Sequence, residues 1–253
     1  MVFRPGVRAA ALCAMPLSLV MGTVQAAEII APSDEQIRYM RKVVPQSYVD
    51  LARLWKGGLP IPVCWEANVA PFAEQKQWIE DIVRQRLETP TAVRFKGFAV
   101  QAKRWPTCTP TALGIRISAT EGRPRSDVGK QWSPGPFDPK RQQVPTRVQL
   151  DFKLGGAYES FCGSQKRKCL EVIALHEFMH AIGFLHEHLR DDAPQACRET
   201  FGHEDDDTGI LPNKFSVIYD SASIMTYCES IFERPIRLSA EDIAAVNNFY
   251  RTQ

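Results

Sequence analysis

Apolar positions recur along this chain in two rhythms, and each predicts a kind of element. Between Pro71 and Leu87, the positions Phe72, Ile79, Ile82, Val83 and Leu87 fall at helical spacing, which predicts a long helix packed under a sheet. Leu170, Val172, Ile173, Ala174 and Leu175 form a nearly unbroken apolar run, as a buried helix should, and lead directly into His176. Short stretches at Ala92 to Phe95, Leu113 to Ser118 and Val148 to Phe152 read as strands separated by proline- and glycine-rich loops. Nearer the start, Ser33 to about Val44 reads as an amphipathic helix stopped by Pro45, and Ser47 to Trp55 as a second short one.

The first residues follow neither rhythm. Arg4 and Arg8 precede an apolar stretch from Ala9 to about Val20, and Val24-Gln25-Ala26 puts small residues at the positions a signal peptidase reads. The stretch is too short, and interrupted by Pro16, to span a bilayer, and Leu12 before Cys13 does not suit a lipid anchor. The expected organisation is a signal peptide over 1–26, a helical N-terminal segment and candidate pro-segment over 27–53, and the main domain over 54–253. A chain of 253 residues, 44% hydrophobic and 24% charged, can bury a full core without reading as disordered or membrane-embedded. Its net charge of +2 says little about partners. No long basic face or aromatic-interleaved patch argues for nucleic acid, and Lys166-Arg167-Lys168 reads as a solvated loop. Asp34 and Asp50 read as helix-cap and surface residues. Glu204 to Asp207 reads as a solvated acidic loop, with calcium binding left open.

Chemistry concentrates in His176-Glu177-Phe178-Met179-His180-Ala181-Ile182-Gly183-Phe184-Leu185-His186-Glu187. On a helix, His176 and His180 project from one face and can hold one metal ion. Glu177 beside them can reach a water on that ion, the position of a general base. Gly183 can take positive φ and end the helix abruptly, so that the chain turns back and His186 approaches from below. Three protein ligands leave a position open for water, which marks a catalytic zinc site rather than a closed structural one. The two remaining histidines, His188 and His203, are expected at the surface or just behind the ligands.

With those residues the chain resembles the metzincin zinc endopeptidases, and among them the astacin family. Arg190 and Asp192 match the continuation of the astacin zinc motif, and Ser223-Ile224-Met225-Thr226-Tyr227 looks like the family's methionine turn. Weaker likenesses cover most of the chain. Leu54 to Val63 looks like the opening strand, Thr91 to Phe95 like the second, and Ser126 to Lys130 like the approach to the edge strand. Leu238 through Asn247 and Tyr250 resemble the closing helix, with Ser239 as N-cap and Asp242 three residues on. The resemblance implies an α+β metzincin-type zincin: a twisted mixed sheet with long helices in the N-terminal half, an active-site helix, a Met-turn and a C-terminal helix. It also implies that Met225 floors the site, that Tyr227 can ligate zinc and swing away to stabilise the transition state, and that an edge strand pairs with extended substrate. Val148 to Phe152 is the candidate for that strand. The role of Glu187, which in processed family members meets a trimmed N-terminal amine, stays open.

Departures from the family pattern are equally specific. Ala92 stands where astacins usually place a cysteine, no cysteine follows Cys228, Pro124 occupies another cysteine position, and Ala193 replaces an arginine. Seven cysteines less Cys13 leave six, an even number suited to an oxidising compartment: Cys64, Cys108, Cys162, Cys169, Cys197 and Cys228. Six allow fifteen pairings, among which sequence does not choose. Proximity to the recognised elements favours Cys197 with Cys228 and Cys162 with Cys169, leaving Cys64 with Cys108.

The expected function is a secreted or periplasmic zinc-dependent endopeptidase with one catalytic Zn2+, held by His176, His180 and His186. Glu177 is its general base, Tyr227 assists, and a polypeptide is the substrate. Stable membrane insertion and nucleic acid are not expected, and a monomer is favoured. Two alternatives remain: a zinc-containing binding protein of the same fold without peptidase activity, and a hydrolase of peptidoglycan-type amides.

Overall fold

Strands with one face turned to the core alternate apolar and polar residues, as Ile115-Arg116-Ile117-Ser118 and Val148-Gln149-Leu150 do, with the apolar members fully buried. The computed structural model describes residues 48–57, 59–96, 104–136, 138–201, 213–214 and 219–251. Strand β1 (Tyr48–Val49) opens the described chain, followed by β2 (Ile61–Trp65), helix α1 (Ala73–Val83), β3 (Phe95–Lys96), β4 (Ile115–Ala119) and β5 (Arg125–Ser126). A hairpin of β6 (Gln131–Ser133) and β7 (Gln142–Val144) leads to β8 (Thr146–Leu150). Helices α2 (Ala157–Cys162), α3 (Lys166–Ala181) and α4 (Gln195–Phe201) follow, then β9 (Asn213–Lys214) and the closing helix α5 (Ala240–Tyr250).

The main sheet has five strands in the order β3-β2-β4-β8-β5; β5 runs antiparallel to β8, and the other neighbours are parallel. This is an α+β fold, with a mixed sheet, a buried helix that carries His176 and His180, and a closing helix. Helices α1 and α3 pack on each other and α3 on β8. Beneath the active-site helix lies an aromatic cluster: Phe178 stacks on Trp105 at 5.3 Å and meets Phe95 edge-on at 5.4 Å, and Trp105 reaches Trp65 at 5.6 Å. Such pairs add about 0.5–1.5 kcal/mol beyond their area burial. The one carboxylate in this cluster, Glu80, accepts hydrogen bonds from Trp65 Nε1, the Trp105 amide and Arg104 Nη1, so its desolvation is compensated.

Three disulfides brace the layers: Cys64–Cys108 beside β2, Cys162–Cys169 across the start of α3, and Cys197–Cys228 between α4 and the segment before α5. Among the described residues no helix is long and apolar enough to cross a membrane. The expected signal peptide, the 33–44 helix, Asp34, His203 and the acidic stretch at 204–207 lie outside the described residues.

Several expectations are corrected. Val148 to Phe152 is not the edge strand: β8 spans Thr146–Leu150, and both its sides are taken, by β4 and by β5 through Ser126↔Val148 and Arg125↔Gln149. The edge is β5. A second helix from Ser47 to Trp55 does not form, because Tyr48 and Val49 pair with Lys214 and Asn213 and only Leu51–Arg53 makes a short 3-10 turn. Long-range pairing and complete burial of Val49 outweigh local preference there. Asp50 caps that turn by accepting from the Ala52 amide, as a cap residue should, yet it is buried rather than at the surface. Lys166 to Lys168 form the largely exposed first turn of α3 instead of a loop. The long helix expected to Leu87 is α-helical to Val83 and widens into a π-helical turn over Arg84–Glu88.

Candidate active site

Helix α3 is buried from Cys169 through Ala181, so everything its last turns present faces protein or the cleft. His176 and His180, one turn apart, bring their rings to 4.8 Å. The helix then stops at Gly183, whose φ of +102 is open to glycine at little cost and strained for other residues. The carbonyls of residues 180–183, at and just past the end of the helix, are each reached by a different part of the fold. Gly129 N donates to His180 O (2.8 Å), Trp55 Nε1 to Ala181 O (2.9 Å), Tyr250 Oη to Ile182 O (2.6 Å) and Asp50 N to Gly183 O (2.9 Å). The turn is thereby fixed, and it delivers His186 to the other two.

Nε2 of His186 lies 3.0 Å from His176 Nε2 and 2.9 Å from His180 Nε2. The opposite ring nitrogens determine what these atoms are. His176 Nδ1 donates to Ile224 O and His180 Nδ1 to Phe184 O, both at 2.8 Å. A carbonyl oxygen can only accept, so both Nδ1 atoms carry protons, and in the neutral form of each ring the lone pair is then on Nε2. Burial first, then neighbouring His176, His188 and Arg123, pushes the His186 pKa well below the usual histidine range, which favours the neutral ring. A shared proton satisfies two such nitrogens; a cation centred among them satisfies all three. The donor set therefore fits zinc, which takes neutral imidazole nitrogens and whose histidine ligands use the second ring nitrogen in just this way.

Glu177 is buried on the same helix between the two histidines. Tyr227 Oη lies 3.1 Å from His176 Nε2, beside the donor set. The turn carrying Tyr227 is anchored from behind. Ser223 Oγ donates to Asp242 Oδ1 (2.7 Å), and the Ile224 amide to Asp242 Oδ2 (3.1 Å). Asp242 also completes a capping box with Ser239 at the start of α5. Since Ile224 O holds His176, two hydrogen bonds and one residue connect the closing helix to the first zinc donor. Met225 is buried within this turn, its carbonyl accepting from the Glu187 amide at 2.9 Å.

Residues 163–248 match the model of the Astacin peptidase family. That match takes in the three histidines and the Met225 turn. It is 29% identical over 168 residues to the zinc metalloproteinase nas-2 of Caenorhabditis elegans, covering 64% of this chain and 50% of that protein. The chain thus spans about half the length of that curated relative. Among solved structures it is similar to high choriolytic enzyme 1, a hatching enzyme zinc-protease of the medaka Oryzias latipes, at 20% identity and TM-score 0.46 over 76% of this chain and 88% of that one. Myroilysin gives 16% identity and TM-score 0.45 over 80% of this chain and 98% of that one.

Within the matched segment, Glu187 is the carboxylate whose role the sequence left open. It is buried, its Oε1 accepts from the Tyr48 amide at 3.0 Å, and its Oε2 lies 3.4 Å from Arg190 Nε. Burial raises its pKa to about 8, with Arg190 opposing the shift. Arg190 in turn holds Asp192 through two bonds of 2.9 Å, and Asp192 accepts from the Tyr219 amide. The motif positions Arg190 and Asp192 therefore brace the segment after His186. His188 is wholly buried, against Tyr227 and His186 rather than at the surface. Asp242 was legible as a capping residue, but nothing local announced its second task of holding the methionine turn.

Proposed function

We propose that the chain is an exported zinc-dependent endopeptidase that hydrolyses peptide bonds, with His176, His180 and His186 holding the ion. The observation that carries this reading is the convergence of three imidazole Nε2 atoms near a carboxylate buried on the helix that carries two of them. A zinc ion held there would supply Lewis acidity, lowering the pKa of a water toward ~7 and polarising a substrate carbonyl. Glu177 would take a proton from the attacking water at its carboxylate and return it to the leaving nitrogen. Tyr227 would donate its hydroxyl hydrogen bond to the oxyanion as charge develops, an interaction stronger in the transition state than in the ground state.

An extended polypeptide would add as a further strand along β5, the outer strand whose next residues lead to Gly129 at the carbonyl of His180. The three disulfides favour an oxidising compartment, in keeping with removal of residues 1–26 as a signal peptide. The test is cleavage of a denatured protein by the mature chain beside Glu177→Ala. The variant should bind zinc and fold as the unaltered protein does, with turnover lowered by at least about 10²-fold. Turnover retained by the variant removes Glu177 from the reaction. A folded, zinc-loaded chain that cleaves no polypeptide favours the binding-protein alternative, or the peptidoglycan-type amide alternative if it opens such cross-links.

A further inference from the structure

Tyr227 is enclosed by rings, and only some of them belong to the zinc donor set. Its ring stacks on His176 at 5.3 Å and 21°, and His186 lies 4.6 Å away at 48°. On another side His188 stacks on it at 4.8 Å and 24°. Phe201 stands edge-on to both, 6.0 Å and 67° from Tyr227 and 6.0 Å and 65° from His188. His188 is fully buried in the short Glu187–Leu189 turn, a position from which it cannot join the donor set without unstacking. Phe201 is the last residue of α4, and the same helix carries Cys197, bonded to Cys228 immediately after Tyr227. Two rings and a covalent tie therefore converge on one tyrosine and its neighbour.

We infer that His188 and Phe201, braced by the Cys197–Cys228 bridge, are positioning residues for Tyr227, holding its hydroxyl beside His176 and defining the path along which the phenol moves. The inference rests on the endopeptidase reading for its kinetic consequence but not for its geometric one. Aromatic pairs favour offset stacking and edge-on contact, the two arrangements found here. A phenol stacked on His188 keeps that contact while shifting within its own plane and loses it on tilting. The stack therefore favours a short in-plane excursion from the imidazoles toward a developing oxyanion over free rotation into the cleft. The bridge limits how far the turn beneath Tyr227 can drift from α4, so that Phe201 stays in contact.

The experiment loads the metal-free full-length mature protein with Cu(II) and records the visible absorption for a phenolate-to-copper charge-transfer band, then measures kcat and KM of the zinc form. The band should be present in the unaltered protein, absent in Tyr227→Phe, weakened or shifted in His188→Leu, and restored in His188→Phe, which keeps a flat ring. His188→Leu should lower kcat by up to about tenfold with KM little changed, and should add nothing further in a Tyr227→Phe background. Phe201→Leu, at the partly exposed end of α4, is the second variant should His188→Leu not fold, and it should show the same pattern more weakly. The proposal is overturned if the soluble variant leaves band and kcat unaltered, if it lowers kcat equally with and without Tyr227, or if the unaltered protein shows no band. Because the band is read without turnover, a protein that shows it and cleaves nothing contradicts the endopeptidase reading and leaves the positioning role standing.

Discussion

At Asp242 one buried carboxylate accepts from Ser223, Ile224 and Ser239, and burial raises its pKa despite those donors. Removing it leaves the Ile224 amide and the Ser223 hydroxyl without their acceptor and loosens the carbonyl that orients His176. Asp242→Ala should therefore weaken zinc binding by about 10–100-fold, as loss of an outer hydrogen bond behind a metal ligand typically does. Competition against a chromogenic chelator measures this directly; unchanged zinc affinity in a folded variant would remove Asp242 from the support of the site. Gly183 makes a second residue-level case. A Cβ there would meet Leu54 Cδ2 at 3.0 Å in a backbone conformation that L side chains rarely adopt. Gly183→Ala should cost more than about 1 kcal/mol in denaturant unfolding, since the strain exceeds the usual entropic gain of replacing glycine. Equal or higher stability would mean that the turn is not pinned as described.

Among the elements, α3 and its terminus show why part of this site can be read from sequence. The spacing of His176, His180, Gly183 and His186 is local: helical periodicity and one glycine suffice to predict three convergent rings, and the structure brings them within hydrogen-bonding distance. Ser239 and Asp242 were equally legible as a capping box because that motif closes within four residues. Strand β5 was not. Two residues, Arg125 and Ser126, carry no alternating pattern, and they become a strand only because β8 offers an open side. Val148, central in a clear apolar strand, looked a better edge than it is for the same reason. Tyr48 and Val49 were misread as helical because their pairing partners, Lys214 and Asn213, are remote in the chain. Cysteine pairing sits between these cases: each bonded pair flanks a recognisable element, but only the packed fold brings the sulfurs together.

Across the molecule, the zinc donors come from α3 and the turn after it, while their supports come from both ends of the described chain: Asp50, Trp55, Gly129, Ile224 and Tyr250 all bond the donor segment directly. A site held from so many elements exists only in the folded chain, so zinc should stabilise the fold by mass action. At free zinc a hundredfold above its Kd this amounts to about 2.7 kcal/mol, which for a domain of this size raises Tm by about 5–10 °C. Scanning calorimetry with and without a chelator measures the shift. Identical transitions would mean that the ion contributes nothing to the folded state.

The role proposed for one zinc ion, held by His176, His180 and His186, is to make this fold hydrolyse peptide bonds. The most direct test titrates the metal-free protein with zinc while following cleavage of a denatured polypeptide. Activity should rise linearly and break at about one equivalent, with no such rise in His186→Ala. Activity indifferent to zinc, or undiminished without His186, would contradict it.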